Sequence, residues 1–414
     1  MPQSYLYSSF EECRQVLEAR LADPAPGRIQ LLTGPRQVGK TTLLLGLAER
    51  LVSSASYAAC DGPEAATPGF WERLWARVAE EARGGSTVTV LLDEVQHLED
   101  WAARLKTEWD RIRRRNLPIH VVATGSSALR VGKGSRESLA GRFERITLTH
   151  WSAASLSAAF GLSGPEAADL VVRQGAYPGA AAYRDDPRRC TAYLRDAIVE
   201  PAIGRDILAL GHVRKPALLR QVFAVCTGAP AQIVSLQKMQ GQLRDAGALE
   251  TIAHYLALLH EAYLVAPLRK YGARPLRQRA APPKLIALSN ALLAATDPRG
   301  VPAAETDPAR YGAWVENACI AHAVNSGQDV TYWREEPLEV DAVIDGSWGR
   351  WAIEVKTARF DERDLRGLLE FTKRYPSYRP LVLGPAAGLE AAERAGVSAM
   401  RWKDFLLEGP PAGS

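Results

Sequence analysis

Residues Gly34 to Thr41 read Gly-Pro-Arg-Gln-Val-Gly-Lys-Thr and fit the pattern G-x-x-x-x-G-K-[ST]. These residue types at this spacing bind a phosphate chain. Gly34 and Gly39 let the backbone turn and approach an anion with no Cβ in the way. The expected nucleotide contacts are Gly34, Pro35, Arg36, Gln37, Val38, Gly39, Lys40, Thr41 and Thr42. Lys40 would reach the β- and γ-phosphates, and Thr41 would ligate Mg²⁺.

Further on, Val88-Thr89-Val90-Leu91-Leu92 leads into Asp93-Glu94. An apolar strand ending in two carboxylates is the Walker B pattern. Asp93 would hold Mg²⁺, and Glu94 would polarise an attacking water. After the next apolar run, Ile119 to Ala123, come Thr124 and Ser126. Either hydroxyl could orient that water against the γ-phosphate. The segment Ser135 to Arg145 then offers guanidinium groups for transition-state charge, with Arg142 the first choice and Arg136 the second, in cis or from a neighbouring copy.

A second cluster lies near the end of the chain: Glu339-Val340-Asp341, then Trp351-Ala352-Ile353-Glu354-Val355-Lys356. Alternate residues of a strand share a face, so Glu339 pairs with Asp341 and Glu354 with Lys356. A hairpin through Asp345 to Gly349 would bring them together, and Glu316 on a preceding helix adds a carboxylate. Carboxylates that hold Mg²⁺ and a lysine that steadies a nucleophile or phosphate are what metal-assisted phosphodiester cleavage needs. On this reading Glu316, Glu339, Asp341 and Glu354 are metal ligands, and Asp341, Glu354 and Lys356 are catalytic. The spacing fits the PD-(D/E)XK nuclease pattern.

Strands predicted at 29–33, 56–59, 88–92, 119–123 and 145–148 alternate with helices at 40–51, 71–82 and 101–115. That alternation is the signature of a parallel α/β sheet. From 152 to 270 the pattern is helical, with short helices expected at 216–226, 232–244 and 250–260, an order that suits a winged helix or a plain helical lid. The Pro- and Arg-rich stretch 270–283 reads as a linker. A second α/β segment would begin at Lys284, with strands at 285–288, 338–344, 350–356 and 380–383 and helices at 311–324 and 361–374.

With 414 residues, several domains are expected. A net charge of +4 neither demands nor excludes nucleic acid. The five cysteines form no C-x-x-C pair, which argues against a zinc site or a disulfide framework and fits a reducing cytoplasm. The first residues carry no signal-peptide pattern, and no apolar run approaches the ~20 residues of a membrane span.

In order and spacing, GPRQVGKTTLL, LLDEVQHLEDW, ATGSSAL and LAGRFERITLT resemble the bacterial and archaeal AAA-type P-loop ATPases with a C-terminal domain of unknown function. The resemblance covers roughly residues 10–400. It implies an α/β fold with an AAA-type core at 1–155, a helical and winged-helix-like region at 156–283 and a restriction-endonuclease-like domain at 284–408; the Gly- and Pro-rich residues 409–414 read by themselves as a disordered tail. It places Thr124 or Ser126 at the sensor position. The family tends to carry an aspartate where this chain has Ser289-Asn290. The expected function is a Mg²⁺-dependent ATPase, binding ATP and coupled to a nuclease-like domain that acts on or binds DNA, as a monomer, a homo-oligomer or with a protein partner. The alternative is a nucleotide-dependent switch or scaffold with an inactive nuclease fold. A small-molecule kinase is disfavoured, because Asp93-Glu94 suits water activation.

Overall fold

A computed structural model describes residues 6–51, 55–125, 139–208, 213–244, 247–272 and 281–411. The chain forms two compact units, residues 1–149 and 150–414.

The first unit is built on six strands: β1 (Leu6–Ser8), β2 (Ile29–Thr33), β3 (Ala55–Ala59), β4 (Val88–Asp93), β5 (Ile119–Gly125) and β6 (Phe143–Leu148). They lie in the order β1-β6-β2-β5-β4-β3, and every pairing is parallel. Strands β2, β4 and β5 are buried along their whole length, as central strands covered on both faces must be. Helices α1 (Phe10–Ala22), α2 (Lys40–Arg50), α3 (Phe70–Arg83) and α4 (Trp101–Arg115) provide the cover. In α3, Trp71, Leu74, Trp75, Val78 and Ala82 fall on one face at helical spacing and pack on Val90, Leu92 and Val121 of the sheet. The predicted strands and helices are all present here; the edge strand β1 escaped prediction.

In the second unit, β7 (Gln232–Ile233), β8 (Val265–Leu268) and β9 (Lys284–Ala287) form a small antiparallel sheet in the order β7-β9-β8. Helices Pro216–Gly228, Leu236–Gln240 and Leu249–Glu261 precede or separate these strands. Two expectations are corrected. The helix predicted at 232–244 divides into β7 and a short helix, because Ser235 caps a new start by accepting the Lys238 N–H and Gly241 follows the end. The strand at Lys284 closes this sheet, with Leu268 opposite Lys284, rather than opening the last domain. The stretch read as a linker therefore joins two paired strands.

The five-stranded sheet follows the helix Pro308–Asn325 and comprises β10 (Asp329–Glu335), β11 (Leu338–Gly346), β12 (Gly349–Val355), β13 (Arg379–Gly384) and β14 (Ser398–Arg401). β10-β11-β12 are antiparallel, and β13 and β14 then add in parallel. The expected hairpin is tight, with Gly346 opposite Gly349. One face of the sheet packs Val340, Val343, Ala352 and Val382 against Leu368 and Phe371 of the helix Arg366–Arg374. β10 and β14 were not predicted. Among the described residues, no helix is long and apolar enough to cross a membrane.

Candidate nucleotide site and a carboxylate–lysine cluster

In a parallel sheet all carboxyl ends lie at one edge. There the chain sets the Gly34–Thr41 loop after β2, Asp93 at the end of β4 and Thr124 near the end of β5, opposite Leu32. Gly34 has φ +151°, and a Cβ there would stand 1.9 Å from the Leu148 carbonyl oxygen, so only glycine fits. Gln37 and Gly39 also have positive φ, and α2 starts at Lys40. The loop thus ends on a helix N-terminus, whose N–H groups and dipole favour an anion. Lys40 is buried, and its Nζ donates to the carbonyls of Gly34 (3.2 Å) and Pro35 (2.7 Å). The Thr41 and Thr42 side chains are exposed on the first turn.

Asp93 is buried and fixed from two sides. Thr124 Oγ1 donates to Oδ1, and the Tyr57 hydroxyl donates to Oδ2 at 3.1 Å. Burial and the charge of Asp93 push the Tyr57 phenol up, so it stays a donor. Glu94 sits in the left-handed region, φ 51° and ψ 43°, rare for a residue with a side chain and a form of strain that gathers at working sites. Its N–H donates to Thr124 Oγ1 at 3.1 Å, and its carboxylate accepts from Gln96 Nε2. The residues present fit a Mg²⁺-nucleotide: a loop with room only for glycine at its closest approach, a buried ammonium, hydroxyls on the first turn and two carboxylates. Tyr57 and Gln96 were missed in the sequence; neither belongs to a spaced motif, and only the pairing of β3 with β4 brings Tyr57 to Asp93.

Arg142 requires a correction. It lies just before β6, where its carbonyl accepts from the N–H of Ile29 at the start of β2. That is the sheet edge opposite the loop. Its guanidinium pairs with Asp110 (3.0 Å) and stacks over Trp109. Within one chain it does not reach the phosphates. Ser126 and Arg136 lie outside the described residues.

In the second unit, Glu316, Glu339, Asp341, Glu354 and Lys356 do come together, around a residue the sequence reading did not single out. Lys284 is fully buried. Its Nζ lies 2.6 Å from Glu316 Oε1, 3.2 Å from Asp341 Oδ1 and 3.6 Å from Glu339 Oε1. It also donates to the Asp341 carbonyl at 3.1 Å. Asp341 Oδ2 accepts the Val355 N–H (2.9 Å), and Glu354 Oε1 accepts from Lys356 Nζ (2.8 Å). Burial alone would neutralise Lys284, but the carboxylates of Glu316, Asp341 and Glu339 outweigh it and hold the ammonium above the usual lysine range. Burial would raise Asp341 too, yet Lys284 and the Val355 N–H keep it below its ordinary value. Burial and the charge of Asp341 push Glu316 and Glu354 upward, to about 8.

The expected Mg²⁺ site on Glu316, Glu339, Asp341 and Glu354 is therefore not what the geometry presents. Three of these carboxylates converge on an ammonium, and among the described residues no group of three or more His, Cys, Asp or Glu is arranged to hold a metal ion. The clue to Lys284 in the sequence was a charged residue leading an otherwise apolar strand in a chain with few lysines. Ser289 and Asn290, where the chain departs from the resembled family, are buried and neutral. Asn290 Nδ2 donates to the carbonyls of Val172 and Trp314, and Asn317 Nδ2 to Asn290 Oδ1 and the Ala287 carbonyl. This packing seats the Glu316 helix against β9.

A family described as an AAA domain matches residues 26–156. The first unit carries a P-loop core similar to that of AAA-type ATPases. Two families described only as domains of unknown function match 166–302 (DUF8612) and 311–402 (DUF4143), a division that leaves β9 with the middle segment. An uncharacterized protein of Mycobacterium tuberculosis is 27% identical over 79% of this chain and 70% of its own length, and one of Mycobacterium bovis aligns equally. A solved ORC2 protein of Aeropyrum pernix is 14% identical over 66% of this chain and 90% of that chain, with a TM-score of 0.41.

Proposed function

We propose that the chain is a Mg²⁺-dependent ATPase whose turnover at the Gly34–Thr41 loop controls a second unit that binds DNA. The observation that carries the ATPase half is the gathering of Lys40, Asp93 and Thr124 at one sheet edge, with Glu94 held beside them. On this reading the loop N–H groups and Lys40 hold the triphosphate, and Thr41 and Asp93 hold the metal. Mg²⁺ supplies charge neutralisation on the phosphate oxygens. Thr124 and Tyr57 hold the Asp93 carboxylate in place through its two oxygens. Glu94 orients the attacking water once Gln96 releases its carboxylate.

The DNA half rests on element order. Helix, strand, helix, helix and two strands from Pro216 to Ala287 follow the order of a winged helix. The segment between β8 and β9 carries Arg269, Lys270, Arg274, Arg277 and Arg279 and no acidic residue, a composition suited to phosphate contact. The helix Pro308–Asn325 followed by three antiparallel strands, a helix and a parallel strand is the order of a PD-(D/E)XK fold. The second reading, a nucleotide-dependent switch with an inactive nuclease fold, is favoured by one observation: Lys284 among the carboxylates.

Phosphate release by the wild type, Lys40→Ala and Glu94→Gln tests the ATPase half. Loss in both variants is expected, and undiminished turnover in both would sink it. Gel shifts with ATP and with ADP test DNA binding; absence of binding under either nucleotide removes that half. Plasmid and branched DNA with Mg²⁺ or Mn²⁺, beside an Asp341→Ala/Glu354→Ala variant, separate cleavage from binding.

A further inference from the structure

We infer that Lys284 is a resident cation: its ammonium takes the position a nuclease-like fold gives to a divalent metal, and it makes the cluster a metal-free lock between the three-stranded and five-stranded sheets. The inference rests on the nuclease-like reading only for naming that position.

An ammonium has three protons and no acceptor. Those of Lys284 face Glu316, Asp341 and Glu339, with the Asp341 carbonyl also in reach. The lysine comes from β9, Glu316 from the helix Pro308–Asn325, and Glu339 and Asp341 from β11. One buried charge therefore ties one strand from each sheet to the helix Pro308–Asn325. A divalent cation draws carboxylate oxygens to roughly 2.0–2.6 Å. The oxygens it would use already converge on Nζ, so it would have to displace the ammonium or sit against it. With Lys284 buried and Asp341 nearly so, that repulsion opposes joint occupancy.

The remaining oxygens do not rebuild a metal site beside it. Asp341 Oδ2 is held by the Val355 N–H, and Glu354 Oε1 by Lys356. Glu339 Oε2 faces the Arg334 guanidinium at 3.7 Å and the Glu316 carboxyl hydrogen-bonds Asp341, which leaves Glu354 Oε2 as the one carboxylate oxygen of the cluster that is buried without a hydrogen-bond partner among the described residues. A single such oxygen is too few ligands for Mg²⁺ or Mn²⁺. Removal of Lys284 would leave Glu316, Glu339 and Asp341 facing one another, the donor set of a cation site.

The test is Mn²⁺ binding by the nucleotide-free full chain in a Lys40→Ala background, so that the phosphate loop does not contribute, read by electron paramagnetic resonance. With Lys284 present, no bound Mn²⁺ that Asp341→Asn removes is expected. In Lys284→Ala/Glu316→Gln, which removes the ammonium and keeps an oxygen donor at position 316, a one-to-one Mn²⁺ site appears, Mn²⁺ raises the thermal midpoint, and an added Asp341→Asn abolishes both effects. Mn²⁺ held by the intact cluster and lost with Asp341→Asn overturns the inference. So does a Lys284→Ala/Glu316→Gln protein that is folded by circular dichroism yet binds none. If that variant does not fold, the arm with Lys284 present decides. ATP turnover of the unmodified chain, measured in parallel, registers any failure of the proposed function separately.

Discussion

Thr124 ties Asp93 to Glu94 at the candidate nucleotide site: its hydroxyl donates to the Asp93 carboxylate and accepts the backbone N–H of Glu94 at 3.1 Å. One side chain thus sets both the Asp93 carboxylate and the strained backbone of Glu94. Thr124→Val keeps the shape of the side chain and removes both bonds. A hydrogen bond to a charged group contributes about 1.5–3 kcal/mol, which corresponds to roughly 10–100-fold in rate. Turnover is expected to fall in that range while ATP affinity changes little. Steady-state phosphate release beside a nucleotide-binding titration checks this, and an unchanged kcat contradicts it.

Gly34 is required for a different reason. Its Cβ position lies 1.9 Å from the Leu148 carbonyl oxygen at the end of β6, and its φ is +151°. The obstacle is backbone of a central strand, which cannot swing away as a flexible side chain can. Gly34→Ala must move the loop or part β6 from β2. Loss of ATP binding is expected, with a drop in thermal midpoint that ATP no longer restores. Scanning calorimetry with and without Mg²⁺-ATP reads both effects.

The candidate nucleotide site was legible because its signals are local. Glycines at fixed offsets, a lysine and a threonine between a strand and a helix, and a strand ending in Asp93-Glu94 declare themselves in a few residues. Tyr57 did not, because it reaches Asp93 only through the pairing of β3 with β4. Arg142 misled because a basic residue near a motif says nothing about which edge of a sheet it occupies. The second unit was read less well for the same reason. Glu354 and Lys356 share a face two residues apart, which spacing reveals. Lys284 meets Glu316 and Asp341 from 32 and 57 positions away, and nothing local marks that encounter.

The cluster makes the second unit sensitive to pH in a definite direction. Glu316 and Glu354 stand near 8 in the fold against an ordinary 4.5, so the folded state keeps protons that the unfolded chain has released. Their contribution is full below 4.5 and is lost as pH rises through about 8. His150 and His322, held at about 4 by burial, act in the opposite sense as pH falls below 6.5. The window from 6.5 to 8 therefore isolates the carboxylates. The thermal midpoint of the wild type is expected to fall across it, and that of Glu354→Gln, which cannot ionise there, to fall less. Circular dichroism melts at closely spaced pH values compare the slopes, and equal slopes contradict the assignment.

Arg142 gives the sharpest test of where the first unit does its chemistry. β6 begins beside Ile29, and the phosphate loop begins at Gly34, so five residues of strand separate them, roughly 16 Å at the rise of a β-strand. No arginine side chain covers that distance while paired with Asp110 and stacked on Trp109. Its role within the chain is to hold α4 against the start of β6. A half-exposed pair of this kind contributes no more than about 1 kcal/mol. Arg142→Ala should therefore lower the thermal midpoint slightly and leave kcat and KM for ATP at wild-type values. Asp110→Ala should reproduce the same small loss, and the double variant should add little to either. A collapse of kcat in Arg142→Ala alone, with Asp110→Ala unaffected, would instead mean that the guanidinium serves the site of another copy of the chain.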